Sequence, residues 1–570
     1  MNYYSENAQT LIDQYNRIDP VELHKGWAEF LPNQPALACD IGAGTGRDSN
    51  WLASMGWSVL AVEPEANFRE QAKLQSHANV SWLNDRLPEL TQLRKLGQRF
   101  KLILISAVWM HLPSSKRERA FRILSELLAP GGILVITLRQ GKDEKENEFR
   151  NFHPVSIEEL EHYAKGRALS IQSVSRQPDS KGRSHVDWQT VVMTMPDDGT
   201  GSLPLLRHII VNDDKAATYK LGLLRTLIRI ADGAPGMVLR QTDEYVEVPL
   251  GLVGLYWLKL YMPLVLTAKL IQAPRHKPEE KSGLGFAKAK HFYKLTQLSP
   301  YDLRIGASFN PENTAVVIGS IRDACDTIQN MPAHFITYPG QNRQVFECQK
   351  QPIRKMQNKR WQISKESLTD FGVFRIPIAL WQSFSQYACW LEPAILTEWA
   401  RLMDGYNFQY DKSIYDRAFQ WDDSKRSTLQ VRNLASRTAP LHCVWTGQIL
   451  RKETYQIDHC FPWSRWFNND LWNLMPTSNK VNNQKREKLP SASIMHVSRE
   501  RIKNWWEIAY SEVGVQQQFL MEAEAALPLI SEGNKSLDQV FDAILLQRTR
   551  LRINQQLVEW QPIDTTHHLR

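Results

Sequence analysis

The sequence predicts a multidomain protein of mixed α/β and α+β class: a parallel α/β sheet first, a mostly helical middle, and a strand-strand-helix finger near the C-terminus. Three observations carry this. Between Ala36 and Thr137 short apolar runs alternate with helix-forming stretches, the pattern of a sheet with helical crossovers. From about residue 215 to 403 apolar residues recur at helical spacing. Between Tyr455 and Lys488 two short apolar runs flank a polar turn and lead into a basic helix-forming stretch.

Ala36–Ile41 is a short apolar strand that runs into Gly42-Ala43-Gly44-Thr45-Gly46, followed by a helix through Trp51-Leu52-Ala53. Glycines there let backbone N–H groups come close to a ligand. Trp57–Val62 is a second strand with Glu63 at its tip, 23 residues after Asp40. An acid in that place can take both hydroxyls of a ribose. Val80–Leu83 follows with Asp85 just past it, then the strand Lys101–Ser106 and the segment Ala107–Pro113. A helix from about Arg119 to Leu128 ends at Pro130-Gly131-Gly132, before the strand Ile133–Thr137. Such an alternation places a ligand at the strand C-termini. A different nucleotide-binding sheet, such as an NAD domain, is the alternative at this point.

On these motifs the run from residue 1 to about 196 resembles the class I S-adenosylmethionine-dependent methyltransferases, which implies a Rossmann-like seven-stranded sheet. The resemblance implies that Asp40, Gly42, Gly44 and Gly46 surround the methionine and sugar of S-adenosylmethionine, that Glu63 binds ribose, and that Asp85 faces adenine. One departure matters. DNA N-methyltransferases carry Asp/Asn-Pro-Pro-aromatic after the fourth strand, and C5-cytosine enzymes carry Pro-Cys. Here the position reads Ser106-Ala107-Val108-Trp109-Met110-His111, which is neither, and this implies a non-DNA acceptor. His111 is either a methyl-transfer base or a histidine at a helix start.

Pro196–Ser202 is a turn-rich linker. Asn212-Asp213-Asp214 can cap a helix from Lys215 to about Ala231, with Leu221, Leu224, Ile228 and Ala231 as its apolar stripe and Arg225 and Arg229 off that face. Further helices are expected around 253–266, 314–329 and 380–403. The apolar run Val248–Leu266 contains Lys259, Pro249 and Pro263, and reads as a buried helix rather than a membrane span. The basic run Arg354–Trp361 can track phosphates or be a solvated loop.

The C-terminal stretch holds Asp458-His459, then Asn473 14 residues on and Asn482 another 9. Tyr455–Ile457 and Leu471–Met475 suit two strands of a hairpin with Asn468-Asn469-Asp470 as turn material, and a helix from about Asn479 would carry Asn482 back toward Asp458. A histidine suits a general base near neutral pH, and Asp458 and Asn482 offer hard oxygen donors that fit Mg²⁺ or Mn²⁺. The order and spacing resemble the ββα-metal finger of HNH nucleases. The resemblance implies His459 as catalytic base, Asn473 as the residue that holds its segment, and Asp458 and Asn482 as metal ligands. Cys443 and Cys460 form no Cys-x-x-Cys, so no structural zinc is expected.

These readings divide the chain into a methyltransferase-like domain (1–198), a helical middle domain of no assigned role (199–425) and an HNH domain (426–570). At 570 residues two to four domains are expected. Six cysteines without a framework fit a reducing compartment, and no signal peptide or membrane span is read, so a cytoplasmic location is expected. Net charge +8 and pI near 9.0 suit a polyanion such as DNA only weakly. The 19 tryptophans are expected mainly in cores. The reading is a metal-dependent DNA endonuclease fused to an S-adenosylmethionine-binding domain, by analogy a bacterial defence or restriction effector. A homo-oligomer or a defence-system partner protein is left open. The alternatives are a methyltransferase for a non-DNA acceptor whose HNH portion only binds nucleic acid, and a nuclease gated by S-adenosylmethionine as ligand. An intact Asp458-His459-Asn482 set argues against the first.

Overall fold

The computed structural model describes residues 8–32, 34–179, 182–197, 200–242, 244–352, 361–406, 428–451, 455–527 and 536–562. Most of the basic run, Arg354 to Arg360, and the expected boundary at 425/426 lie outside the described residues. The chain divides into two compact units, residues 1–201 and 202–570.

The first unit is built on a seven-stranded sheet: β1 (Leu37–Ile41), β2 (Ser58–Val62), β3 (Val80–Leu83), β4 (Phe100–Ile105), β5 (Leu128–Gly141), β6 (Ser170–Pro178) and β7 (Val186–Thr194). Their order is β3-β2-β1-β4-β5-β7-β6, with β7 antiparallel to both neighbours and the rest parallel. The order reverses beside β1, so a crevice opens at the C-terminal ends of β1 and β4. Continuous apolar runs such as Leu102–Ile105 and Leu134–Ile136 are buried because helices cover both faces. The helix before β5 spans Ser114–Leu127, starting a turn and a half earlier than its apolar residues suggest.

In the second unit the middle region is helical as expected, but it also holds a four-stranded antiparallel sheet, in the order Glu347–Lys350, Gly372–Pro377, Tyr245–Pro249, Arg240–Gln241. The helix Leu250–Met262 is buried on every side, so the stretch 250–267, apolar enough to cross a membrane, has 78% of its residues inside this core. The first long helix begins at Tyr219 rather than Lys215. Asp213 pairs with Lys220 at 2.6 Å and does not cap the helix, and Thr218 is the residue before it.

Arg225 and Arg229, expected off the buried face, are themselves buried. Glu392, from the helix Ile378–Asp404, explains it: its Oε1 accepts from Arg225 Nε at 2.8 Å and from Arg229 Nε at 2.9 Å. Burial pushes the Glu392 carboxyl up in pKa, but the two guanidinium groups outweigh it and hold it below the ordinary range.

The C-terminal part carries the finger. Tyr455–His459 pairs antiparallel with Leu474–Ser478, and the helix Asn479–Lys485 follows, its N-terminus capped by Ser478 Oγ accepting from Val481 N. The return strand starts three residues later than expected, because Leu471–Asn473 form a 3₁₀ turn first. Helices Ala492–Ala509, Val513–Ala526 and Leu537–Gln555 pack around it. Nine of the 19 tryptophans are among the largest fully buried side chains, so their number says little about nucleic acid.

Glu392→Ala would leave two buried guanidinium groups without their carboxylate. The expected loss is about 3–5 kcal/mol of stability of the second unit, measured by urea denaturation; a loss below about 1 kcal/mol, the range of an exposed pair, would show that the triad is not stabilised by this charge.

Candidate functional site

In the first unit the candidate site lies at the tips of β1, β2 and β4. Gly42 (φ +76°) begins the turn after β1, and its N–H and that of Ala43 donate to Val62 O at the end of β2. A Cβ at Gly42 would stand 2.3 Å from a methyl of Val108, so only glycine fits there. Gly44 (φ +54°) and Gly46 (φ +75°) share the left-handed conformation. Glu63 is brought to the same turn: its Oε2 accepts from Gly44 N and its Oε1 from Glu65 N, both at 2.8 Å. Burial raises its pKa, and these two amides oppose the rise.

Asp40 is buried at the end of β1, where its Oδ2 accepts from Ser49 Oγ at 2.6 Å. Burial first, then repulsion from Asp48, pushes its pKa up to about 7, against the Ser49 hydrogen bond and Arg47. Asp48 itself is held well below the carboxylate range despite burial, by Arg47 and by His24 Nε2 at 3.0 Å. Trp27 Nε1 donates to His24 Nδ1, which puts the ring proton on Nε2, facing Asp48. No sequence signal marked His24, since it lies far upstream of the glycine turn.

Asp85 is placed differently from its companions. Its carboxylate accepts from the amides of Arg86, Gln92 and Leu93 at 2.7–2.9 Å, which ties it to the start of the helix Thr91–Lys95. The fourth-strand tip holds Ala107 at φ +59°, a strained conformation for alanine, with its N–H donating to Thr137 Oγ1 at 2.6 Å. His111 packs on Phe152 (ring centroids 4.9 Å apart), and burial, with Arg150 and His153, lowers its pKa to about 4, so it is neutral near pH 7.

In the second unit the finger brings Asp458 and His459 to the end of one strand and Lys485 beneath them. Lys485 is fully buried on the finger helix; its Nζ lies 2.9 Å from Asp458 Oδ2 and donates to His459 O at 2.7 Å. Asn482 lies one turn before Lys485 on the same helix, half-buried, and among the described residues its side chain takes no hydrogen-bond partner. Asn473 is fully buried and ties the loop on both sides: its Oδ1 accepts from Phe461 N and its Nδ2 donates to Asn468 O, each at 2.9 Å.

His459 Nε2 lies 2.7 Å from Asn469 Oδ1, and its ring sits beside Trp463. Burial lowers its pKa, helped by Lys485 and opposed by Asn469 and Asp458, so the imidazole is neutral. Asn469 was legible in the sequence only as turn material. As a donor set, one carboxylate and one amide oxygen fit a hard divalent cation that keeps most positions for water and phosphate. Asp458 Oδ2 is buried with no hydrogen bond, which agrees with that fit, although the Lys485 ammonium now stands against it.

A family model described as a methyltransferase domain matches residues 38–132, one described as an HNH endonuclease matches 443–491, and a domain of unknown function, DUF8808, matches 199–418. The chain therefore joins a methyltransferase domain to an HNH endonuclease domain. Over 123 residues it is 25% identical to an uncharacterized methyltransferase of Oceanobacillus iheyensis, covering 21% of this chain and 56% of that protein. The chain thus spans about half the length of that curated relative. Among solved structures it is similar to the 1,6-didemethyltoxoflavin-N1-methyltransferase of Burkholderia thailandensis (18% identity, 34% of this chain, 84% of that one, TM-score 0.27). It is also similar to the magnesium protoporphyrin IX methyltransferase of Synechocystis (15%, 33%, 80%, TM-score 0.24).

Because the folded-state pKa of Asp40 lies above its ordinary value of 3.8, its proton is held more tightly folded than unfolded. Its contribution to stability is complete below pH 3.8 and is lost as pH rises to about 7. Asp40→Asn is expected to melt above wild type at pH 8 and to lose that advantage near pH 4; an advantage that does not change with pH would mean that Asp40 is not the titrating group.

Proposed function

We propose that the chain is a metal-dependent DNA endonuclease whose N-terminal domain binds S-adenosylmethionine, acting in the cytoplasm in bacterial defence against foreign DNA. What supports the nuclease reading most is the finger itself, with Asp458 and His459 on one strand end and Asn482 on the helix that Lys485 holds against it. The defence setting rests on analogy with fusions of this kind.

In this reading His459 takes a proton from the attacking water, which its neutral imidazole can accept. Asp458 and Asn482 would hold Mg²⁺ or Mn²⁺, which supplies charge stabilisation at the leaving oxygen. Asn473 keeps the loop on the correct side of His459. Lys485 adds a fixed positive charge beneath a site that receives phosphate.

In the N-terminal domain Asp40, Glu63 and the glycine turn would hold the cofactor. Each Glu63 oxygen spends one lone pair on a backbone amide, so each keeps another for a ribose hydroxyl. Asp85 reaches adenine only through what its three amide bonds leave over. The acceptor is proposed not to be DNA, since the fourth-strand segment Ser106–His111 has neither DNA-methylase signature.

His459→Ala is expected to abolish cleavage of plasmid in Mg²⁺ while leaving DNA binding and melting temperature near wild type; cleavage close to the wild-type rate would remove His459 from the mechanism. Glu63→Ala is expected to cost about 2–4 kcal/mol of S-adenosylmethionine binding by calorimetry, since a charged acceptor for two hydroxyls is lost. Wild-type protein that binds no S-adenosylmethionine would sink the cofactor reading.

A further inference from the structure

The proton on His459 has an address. Asn469 Oδ1 can only accept, and it lies 2.7 Å from His459 Nε2, so Nε2 carries the hydrogen and the lone pair is left on Nδ1. Among the described residues Nδ1 has no hydrogen-bond partner. A free imidazole divides its proton between the two nitrogens, whereas this one is committed.

Asn469 sits in the irregular loop between Phe461 and Asp470, and a loop alone holds nothing to a few tenths of an ångström. Two sets of contacts fix this one. From the finger side Asn473 Nδ2 takes Asn468 O, and Trp466 packs with Phe461 and Trp472. From the middle domain Arg229, itself locked by Glu392, lies with its guanidinium carbon 4.0 Å from the centre of the Phe467 ring. Trp463, the ring beside His459, packs on the middle-domain core. Arg229 and Lys259 of the middle domain and Phe467 and Asn469 of the loop line one shared pocket. The loop rests directly on the domain.

We propose that Asn469 is the positioning residue of His459, and that the middle domain holds it in place through Arg229 on Phe467, so that the domain of no known role serves the nuclease as its backing. This rests on the nuclease reading. It gives the middle domain a function within the compact unit 202–570.

The test uses the full-length protein with Asn469→Ala, Asn469→Asp and Phe467→Leu, the last keeping apolar bulk but removing the ring face. Plasmid cleavage in Mg²⁺ at pH 8 is compared with melting temperature, and ¹⁵N-histidine NMR of the metal-free protein reads the His459 tautomer. Asn469→Ala should lower kcat by roughly tenfold or more, with KM for DNA and melting temperature near wild type. Asn469→Asp, which keeps an acceptor, should restore most of that loss. Phe467→Leu should lower kcat in the same direction, and Asn469→Ala should move the His459 signal from a single Nε2–H form to a mixture. A wild-type kcat in Asn469→Ala, an equal loss in the Asp and Ala variants, or an unchanged tautomer would overturn the proposal. Full activity in Phe467→Leu would overturn its middle-domain half. If wild type cuts no DNA, the nuclease reading fails, and the tautomer measured without metal still decides whether Asn469 sets the ring.

Discussion

The finger depends on one buried ammonium. Lys485 has no exposed surface, and it ends a helix of seven residues, too short to be stable by itself. Its Nζ reaches back to Asp458 Oδ2 and to His459 O, so one charge joins the helix to the strand end that holds Asp458 and His459. A buried charge costs several kcal/mol unless it is paired and hydrogen-bonded. The helix therefore has one place to dock, and docking puts Asn482 on the side of Asp458. In the reading proposed above, the same ammonium, 2.9 Å from Asp458 Oδ2, stands where a divalent ion on Asp458 would have to compete with it.

A second buried charge does for the middle domain what Lys485 does for the finger. Glu392 holds Arg225 and Arg229 at 2.8–2.9 Å across more than 160 residues of sequence. Pairs of this kind add little net stability compared with apolar side chains, but their geometry is strict. Here the strictness is passed on, since Arg229 then lies over Phe467. Asp232 pairs with Arg550, and Glu522 takes Leu471 N while it faces Arg304 at 3.4 Å. Of these, Arg229 meets the finger loop at Phe467 and Glu522 meets the turn that follows it at Leu471.

What the sequence made legible and what it hid divide along the same physical line. The glycine turn after β1, the acid at the tip of β2 and the Asp-His, Asn, Asn spacing are local, because backbone conformation and short-range geometry dictate them. The hidden features depend on partners distant in sequence. Arg225 and Arg229 look like a solvated helix face until Glu392 is in place. Asn469 looks like a turn residue until His459 lies against it. The three-residue shift of the return strand has a nearer cause: the 3₁₀ turn Leu471–Asn473 lets Asn473 face inward to Phe461 and Asn468, and a strand there would send alternate side chains outward. Asp85 was placed by position alone, and its three amide bonds show that a helix start can claim a carboxylate before any ligand does.

The geometry of the fourth-strand tip bears on the acceptor proposed above. An enzyme that methylates a base in DNA must take it out of the stack and hold it against flat apolar or aromatic surface. His111 packs on Phe152, and two guanidinium groups, Arg139 and Arg150, each already lie 4.8 Å from the centre of that ring. Glu146 fixes Arg139 at 2.5 Å, and Arg139 is almost fully buried, so the cation cannot swing aside to let a base stack at little cost. The ring face of Phe152 is thus already taken by two guanidinium groups, which in the reading proposed above leaves little flat surface there for a flipped base.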